Sequence, residues 1–291
     1  GPQQTGGIGR QIEHDADRRV AARHVMRGQN RQRAHPVGPG HPVGGKGAGA
    51  QHVGRDQAKV APVDHHRLLQ QCLDAITAGD AYQLCLTNEV RVTGVFDPLE
   101  VYLRLREANP SHHGGLIVVE DIALLSSSPE VFLSVDSGGH LTTKPIKGTR
   151  RRGDNIALDT ALAEELLASE KERAENLMIV DLMRNDVGRV AQLGTVQVDS
   201  LLEVETYEHV HQLVSTVSAQ LAHGMSAVDA LEACFPAGSM TGAPKISAMS
   251  ILHGLEQGPR GIYSGAFGYL GVDGSANLAM VIRSIVLTPV G

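Results

Sequence analysis

Cysteine is scarce in this chain of 291 residues, which contains only Cys72, Cys85 and Cys234. The three lie far apart and lack the close spacing of a metal site, so we expect buried, reduced thiols and a cytoplasmic protein. No apolar run approaches the roughly 20 residues that cross a bilayer. The N-terminus also lacks an apolar stretch behind a basic start, so neither a membrane span nor a signal peptide is predicted.

An excess of positive charge is also missing. The net charge is −6, and no basic stripe runs along the chain, so nucleic acid is not expected as a partner. Residues 1–56 contain no leucine, phenylalanine, tyrosine or tryptophan and are rich in glycine, arginine, glutamine and histidine. Such a segment buries too little apolar surface to offset its ordering entropy. We therefore predict a low-complexity segment at 1–56, disordered or misread, and a globular domain at 57–291. Metal binding by the scattered histidines of the first segment is an alternative for it.

Regular patterning begins near residue 64, where apolar residues recur at helical and strand spacings between capping and turn residues. These signals predict, in order, a helix ending at Gly79, a strand at 82–86, a helix from Asp97 to Asn109, strands at 116–119 and 131–135, helices at 156–168 and from Ser169, a strand at 211–221, a helix from Ser226 to Phe235, and strands at 265–272 and 278–287. Strands, then helices, then strands with hairpin-type links argue for an α+β fold rather than a parallel sheet.

Lys147 lies between an apolar residue and a glycine-threonine pair, at the end of a predicted strand. Gly148 lets a ligand approach the backbone closely, and Thr149 offers a hydroxyl and a backbone N–H. A lysine buried behind such a turn has its pKa lowered toward neutrality, which makes it a nucleophile. The alternative is a solvated lysine at a strand end.

Two further patterns indicate charged sites. Glu172 and Glu175 are three apart on a predicted helix and share a face, which favours a pair of oxygen ligands for Mg²⁺. The alternative is a capping box with Ser169 and a solvated charged face. Arg283 stands among apolar residues in the predicted last strand, where a charge needs an anionic ligand or an internal ion pair. The hydroxyl-rich segment 237–245 enters a helix and is typical of an anion site.

Five motifs then occur in a fixed order. They are Ser128-Pro129-Glu130, Pro145 to Thr149, the Glu172/Glu175 helix with Asp181 to Asp186, Gly238 to Lys245, and Arg260 to Tyr263 followed by Arg283. In this order, over about residues 64 to 288, the chain resembles the chorismate-utilising enzymes. That family includes anthranilate synthase component I, aminodeoxychorismate synthase component I, and the isochorismate and salicylate synthases. The resemblance implies antiparallel β-sheets packed as a sandwich with helices outside, in an incomplete form.

Two positions indicate a branch of this family. Gln83 stands where isochorismate-type members place a lysine that activates water, and Lys147 stands where anthranilate synthases carry alanine. The resemblance therefore implies amination of chorismate at C4, to give 4-amino-4-deoxychorismate for para-aminobenzoate and folate synthesis. Lys147 would attack C2, and Glu130 would protonate the leaving hydroxyl. A glutamine amidotransferase subunit would supply ammonia.

The resemblance also implies the remaining site residues. Mg²⁺ would be held by Glu172 and Glu175. The substrate pocket would be lined by Gln83, Gly148, Thr149, Gln212, Thr241, Tyr263 and Arg283. Anthranilate synthases place a histidine where this chain has Gln212, and His211 is one residue earlier. Because such a shift turns a strand residue to the other face, Gln212 is the pocket candidate.

Two departures leave alternatives open. Relatives are expected to continue with a glycine-rich turn and a helix that bears a second pair of glutamates, so this chain is interpreted as truncated. The usual N-terminal subdomain is not recognisable in residues 1–56. The missing second pair of glutamates favours one alternative, a catalytically inactive fragment that only binds a ligand or partner. Anthranilate synthase component I is the other alternative, and Lys147 argues against it.

Overall fold

The computed structural model describes residues 20–24, 62–256 and 258–289. Its strands are β1 (Val20–His24), β2 (Gln83–Leu84), β3 (Val90–Gly94), β4 (His113–Val119), β5 (Ile122–Ser128), β6 (Val131–Val135), β7 (His140–Thr143), β8 (Ile146–Arg151), β9 (Gln197–Thr206), β10 (Val210–Gln220), β11 (Gly242–Ala243), β12 (Ala266–Leu270), β13 (Ala276–Met280) and β14 (Ser284–Pro289). Its helices are α1 (Pro62–Ala78), α2 (Pro98–Ala108), α3 (Ile156–Ala168), α4 (Glu170–Gly188), α5 (Ala227–Cys234), α6 (Gly238–Thr241) and α7 (Lys245–Leu255). None of these helices has the length and apolar character needed to cross a membrane.

The strands form two larger antiparallel sheets. One has the order β3-β1-β14-β5-β4, and the other has the order β12-β13-β6-β7-β10-β8, with β9 also paired to β10. Phe267 of β12 packs against Leu124, Val281 and Val286, so the two sheets share an apolar contact. Gly115 of β4 permits this approach, because a Cβ there would lie 2.9 Å from the Phe267 ring. The predicted α+β fold with antiparallel sheets is confirmed.

Helices α2, α3 and α4 pack on the two larger sheets. Ile179, Val180, Met183 and Val187, spaced three and four apart, form the buried stripe of α4. This stripe packs α4 on β8 and β10, whereas α2 packs on β4 and β5. Burial of the α4 stripe therefore fixes the helix that carries Glu172 and Glu175 above the strand that carries Lys147.

Most predicted helix boundaries are confirmed. Helix α3 has the predicted bounds, and α2 follows Asp97, whose carboxylate accepts a hydrogen bond from the N–H of Glu100 at 2.7 Å. Several strands were not predicted, among them β3, β5 and β9. All but the first residue of β5 are buried, so this strand lacks the alternation that marks a half-exposed strand.

The predicted last strand at 278–287 is wrong in one respect. The chain leaves one sheet at Met280 and enters the other at Ser284, so the segment contains two strands. Arg283 lies in the crossing, with a φ of +48° and an exposed side chain. The expected buried charge is therefore not found, because alternation of faces requires a continuous strand.

One strand falls inside the segment predicted to be of low complexity. Strand β1 pairs with both β3 and β14. Residues 1–19 and 25–56 lie outside the described residues, and so do the histidines at positions 14, 35, 41 and 52. The proposed division between 1–56 and 57–291 stays a prediction.

Candidate active site

Lys147 lies inside β8 and not at a strand end as expected. The register with β10 shifts at this point, so that Lys147 and Gly148 together oppose the single residue Leu213. This is a β-bulge, in which an extra residue bends the strand and re-aims a side chain, often beside an active site. Lys147 is only 4% exposed, so the alternative of a solvated lysine is wrong.

Gly148 brings a carboxylate of α4 against the bulge. Its φ is +90°, and a Cβ at this position would lie 2.8 Å from Cδ1 of Leu166 and 3.1 Å from Oε2 of Glu172. The predicted capping box is not formed. Ser169 Oγ accepts a hydrogen bond from the Glu172 N–H at 3.4 Å, but the Ser169 N–H donates to the Leu166 carbonyl instead. The Glu172 carboxylate thus stays available to β8.

Glu175 lies one helical turn beyond Glu172 on the same half-buried face of α4. The Glu175 side chain is 33% exposed and lies 4.0 Å from the Lys171 ammonium. The Glu172 side chain is 19% exposed and lies 3.9 Å from the Arg150 guanidinium. Within the described ranges no group of three or more histidine, cysteine or acidic side chains is arranged to hold a metal. Two carboxylates do suit Mg²⁺, which commonly takes one or two from the protein and fills its shell with substrate oxygens and water.

Gln212 and Thr149 are direct cross-strand partners on β10 and β8, so their side chains share a face of the sheet. Gln212 is 2% exposed. His211 faces the other side, where its Nε2 lies 2.8 Å from Asp159 Oδ1 and its Nδ1 lies 2.9 Å from Thr206 Oγ1. The two residues thus lie on opposite faces of β10, as alternation along a strand requires, and the role of Gln212 in the pocket stays a prediction.

Asp159 joins α3 to the end of β8. Arg152 donates to its two carboxylate oxygens at 2.8 and 2.6 Å through Nε and Nη2, and the Gly153 N–H donates to Oδ1 at 2.8 Å. Hydrogen bonds from Arg152, from Gly153 and then from His211 hold the pKa of Asp159 well below its usual range. The carboxylate is therefore ionised and serves as a link between elements.

Gln83 and the segment after α6 meet in a two-stranded sheet. Ala243 pairs with Gln83, and Gly242 pairs with Leu84. A Cβ on Gly242 would lie 2.0 Å from the Gln83 carbonyl oxygen, so only glycine permits this contact. The side-chain Oε1 of Gln83 is buried and accepts no hydrogen bond from any described residue. A buried acceptor with no donor among the described residues is rare in folded proteins and calls for an explanation.

Glu130 and Thr241 are both buried, at 4% and 5% exposure. Glu130 lines a space of about 10 Å³ together with Ser239 and Met280, which is about the size of one water molecule. The Thr241 hydroxyl donates to the Ala237 carbonyl at 3.3 Å. A larger cavity of about 210 Å³ opens beside Tyr263 and contains none of the other predicted site residues.

An ion pair that sequence reasoning missed joins two of the motifs. Lys245 Nζ lies 2.5 Å from Asp186 Oδ2 and donates to the Cys234 carbonyl at 2.9 Å. Burial raises the pKa of Asp186, although the bond from Lys245 opposes the rise.

Burial also raises the pKa of the Cys234 thiol to about 12. Cys72 is buried likewise, whereas Cys85 is only half-buried.

The structure thus brings the predicted residues together in two groups. Lys147, Gly148, Thr149, Gln212 and Glu172 meet where β8, β10 and α4 join, and Gln83 meets the Thr241 segment through β2 and β11. Arg283 is exposed, outside any strand.

Comparisons with known proteins agree with this arrangement. A family model for chorismate binding enzymes matches residues 19–290. An aminodeoxychorismate synthase from Streptomyces pristinaespiralis is 50% identical over 224 residues, 77% of this chain and 31% of that protein. Anthranilate synthase component 1 from Thermus thermophilus is 44% identical over 252 residues, 87% of this chain and 53% of that protein. The crystal structure of anthranilate synthase component I from Streptococcus pneumoniae superposes with a TM-score of 0.71 at 37% identity, over 79% of this chain and 51% of that one.

The chain therefore spans about a third of the Streptomyces relative and about half of the anthranilate synthases. The family match covers nearly all of it. On the motifs, the fold and this match, the chain belongs to the family of chorismate binding enzymes.

Proposed function

We propose that this chain carries the chorismate-aminating site of an aminodeoxychorismate synthase and makes 4-amino-4-deoxychorismate from chorismate and ammonia. The observation that carries the proposal is Lys147, which lies buried in the β8 bulge between Gly148 and the apolar Ile146. The 50% identity to the Streptomyces aminodeoxychorismate synthase supports the same branch. The three unpaired cysteines suit a reducing compartment such as the cytoplasm.

The roles of the residues follow from their chemistry. The Lys147 amine attacks C2 of chorismate, both ring double bonds shift along C1, C6 and C5 toward C4, and the C4 hydroxyl leaves as water after taking a proton from Glu130. Ammonia then forms a bond to C4, both double bonds shift back, and the Lys147 amine leaves C2. The extra proton of the new C4 ammonium returns to the Glu130 carboxylate. Gln83 Oε1, which is buried and has no donor within the described part of the chain, accepts a hydrogen bond from the incoming ammonia. A glutamine amidotransferase partner supplies that ammonia.

Glu172 and Glu175 are the residues that would hold Mg²⁺. The ion would neutralise the ring carboxylate of the substrate and fix its orientation. Gly148 keeps the backbone of β8 within reach of the Glu172 carboxylate. Thr149, Gln212, Thr241, Tyr263 and Arg283 are proposed to bind the rest of the substrate.

Product analysis tests the proposal. Folded protein is incubated with chorismate, Mg²⁺ and ammonium, and the products are identified by mass spectrometry. We expect 4-amino-4-deoxychorismate. Anthranilate with pyruvate would favour the second candidate, an anthranilate synthase component I. The 44% identity to the Thermus protein supports this candidate. No conversion by a folded chain would overturn both and favour a chain that only binds its ligand or a partner.

A further inference from the structure

Arg260 uses every N–H group that its guanidinium has. Nε and Nη2 donate to the two carboxylate oxygens of Glu256, both at 2.8 Å. Nη1 donates to the Met240 carbonyl at 2.5 Å and to Ser264 Oγ at 3.2 Å, and Nη2 also donates to the Cys85 carbonyl at 2.9 Å. An arginine has five such donors in a fixed planar fork, so this side chain is fully satisfied and its geometry is fixed.

The three acceptors outside the carboxylate mark three different parts of the site. The carbonyl of Met240 is followed directly by Thr241. The hydroxyl of Ser264 belongs to the residue after Tyr263. The carbonyl at position 85 lies two residues beyond Gln83. Three of the segments that carry a proposed substrate or ammonia contact are thus held to the same guanidinium.

The carboxylate of Glu256 is itself held in place. Its Oε1 accepts hydrogen bonds from the N–H and the hydroxyl of Thr87, at 3.0 and 2.9 Å. The Arg260 and Glu256 side chains are 18% and 11% exposed. Low exposure and bidentate geometry make this pair a rigid anchor for the guanidinium.

We propose that Arg260 is a positioning residue that sets the spacing of Gln83, Thr241 and Tyr263 around the substrate without touching the substrate itself. The inference rests on the proposed function, because the contacts of these three residues with chorismate or ammonia are part of that proposal. Lysine keeps the charge but has three donors on a compact ammonium and cannot reach all five acceptors at once.

The test compares Arg260→Lys with two controls in the full chain. Arg152→Lys breaks a similar bidentate ion pair, with Asp159, that lies away from the three segments bonded to Arg260. Thr87→Val removes one bond to Glu256 and leaves every bond of Arg260. For each variant the melting temperature, the kcat and KM for chorismate, and amide hydrogen exchange are measured. For Arg260→Lys we expect a fall of about 10²-fold in kcat/KM, mostly through KM, because small displacements of substrate contacts are costly. Amide hydrogen exchange of the Arg260→Lys variant should be faster than in the wild type in segments 83–87, 240–242 and 261–264.

The controls separate positioning from stability. Arg152→Lys is expected to lower the melting temperature comparably while kcat/KM stays near the wild-type value, and Thr87→Val should change little. A folded Arg260→Lys variant with unchanged KM and kcat would overturn the inference alone. A wild-type chain that leaves chorismate unconverted would overturn the proposed function, and this inference with it.

Discussion

At the scale of single residues, Lys147 and its near neighbour Lys144 offer a direct comparison. Lys147 is buried in the β8 bulge, whereas Lys144 is 37% exposed and pairs with Glu205 at 2.9 Å. Burial in apolar surroundings disfavours the charged ammonium and so makes an amine a better nucleophile near neutral pH. We expect Lys147→Ala to abolish formation of 4-amino-4-deoxychorismate while chorismate still binds, and Lys144→Ala to retain turnover. Product analysis and calorimetric binding check both. Unchanged turnover in Lys147→Ala would remove the covalent role of the lysine.

Gly148 supports the same site through the absence of a side chain. Both Gly148 and Gly224 have positive φ, +90° and +84°, but a Cβ on Gly224 would meet nothing within 4 Å. Gly148→Ala and Gly224→Ala therefore share the backbone penalty of about 1–2 kcal/mol. Only Gly148→Ala also pushes Leu166 and Glu172 away from β8.

We expect the two glycine variants to differ in both stability and function. Gly148→Ala should unfold at lower denaturant than Gly224→Ala and should bind chorismate more weakly. Equal unfolding midpoints with equal affinities would contradict the close approach of Glu172 to the strand.

At the scale of secondary-structure elements, the ion pair between Asp186 and Lys245 joins α4 to the start of α7. The two side chains are 8% and 14% exposed. Removing one partner leaves the other charge buried and unpaired, which typically costs about 3–5 kcal/mol of stability. We expect Lys245→Met to destabilise the protein by about that amount and the double variant Asp186→Leu/Lys245→Met to recover part of it. Urea unfolding of the four proteins of the cycle measures the coupling. Additive effects would show that the pair does not join the helices.

The link between α3 and β8 through Asp159 predicts a pH dependence. The pKa of this carboxyl is lowered from its usual 3.8 in the folded protein, chiefly by the bond from Arg152. The unfolded chain therefore binds the proton first as the pH falls. The contribution of Asp159 is complete above about pH 3.8 and is lost below it. Asp159→Asn should make the melting temperature fall less steeply below pH 4, and Asp154→Asn, on an exposed neighbour, should not.

The elements also show what the sequence predicts and where it fails. Asp97 and Ser226 cap their helices as predicted because a cap is a contact between residues three apart. The bulge at Lys147 is different, since it exists only in the pairing of β8 with a strand more than 60 residues later. Arg283 was misplaced because the sequence does not show that the chain changes sheets before it. Arg260 appeared only as part of a motif, and its bond to the Cys85 carbonyl joins residues 175 apart.

At the scale of the whole molecule, the proposed substrate and metal depend on each other. Glu172 and Glu175 supply two carboxylates on one helix face, and Mg²⁺ prefers about six oxygen ligands. The remaining oxygens must come from elsewhere, and a carboxylate of chorismate is the proposed donor. Mg²⁺ and chorismate should therefore each raise the affinity of the other by the same factor, since coupling between two ligands is reciprocal.

Calorimetric titration of Mg²⁺ with and without chorismate measures this factor. We expect tight Mg²⁺ binding only when chorismate is present, and loss of turnover when a chelator removes the metal. Glu172→Gln and Glu175→Gln should reduce the factor. Glu165→Gln is a matched control, because Glu165 also approaches Arg150, at 3.0 Å, but is 59% exposed on α3. An Mg²⁺ affinity that is the same with and without chorismate would contradict the shared site. A metal bound by both the helix and the substrate must bind more tightly when the substrate is present.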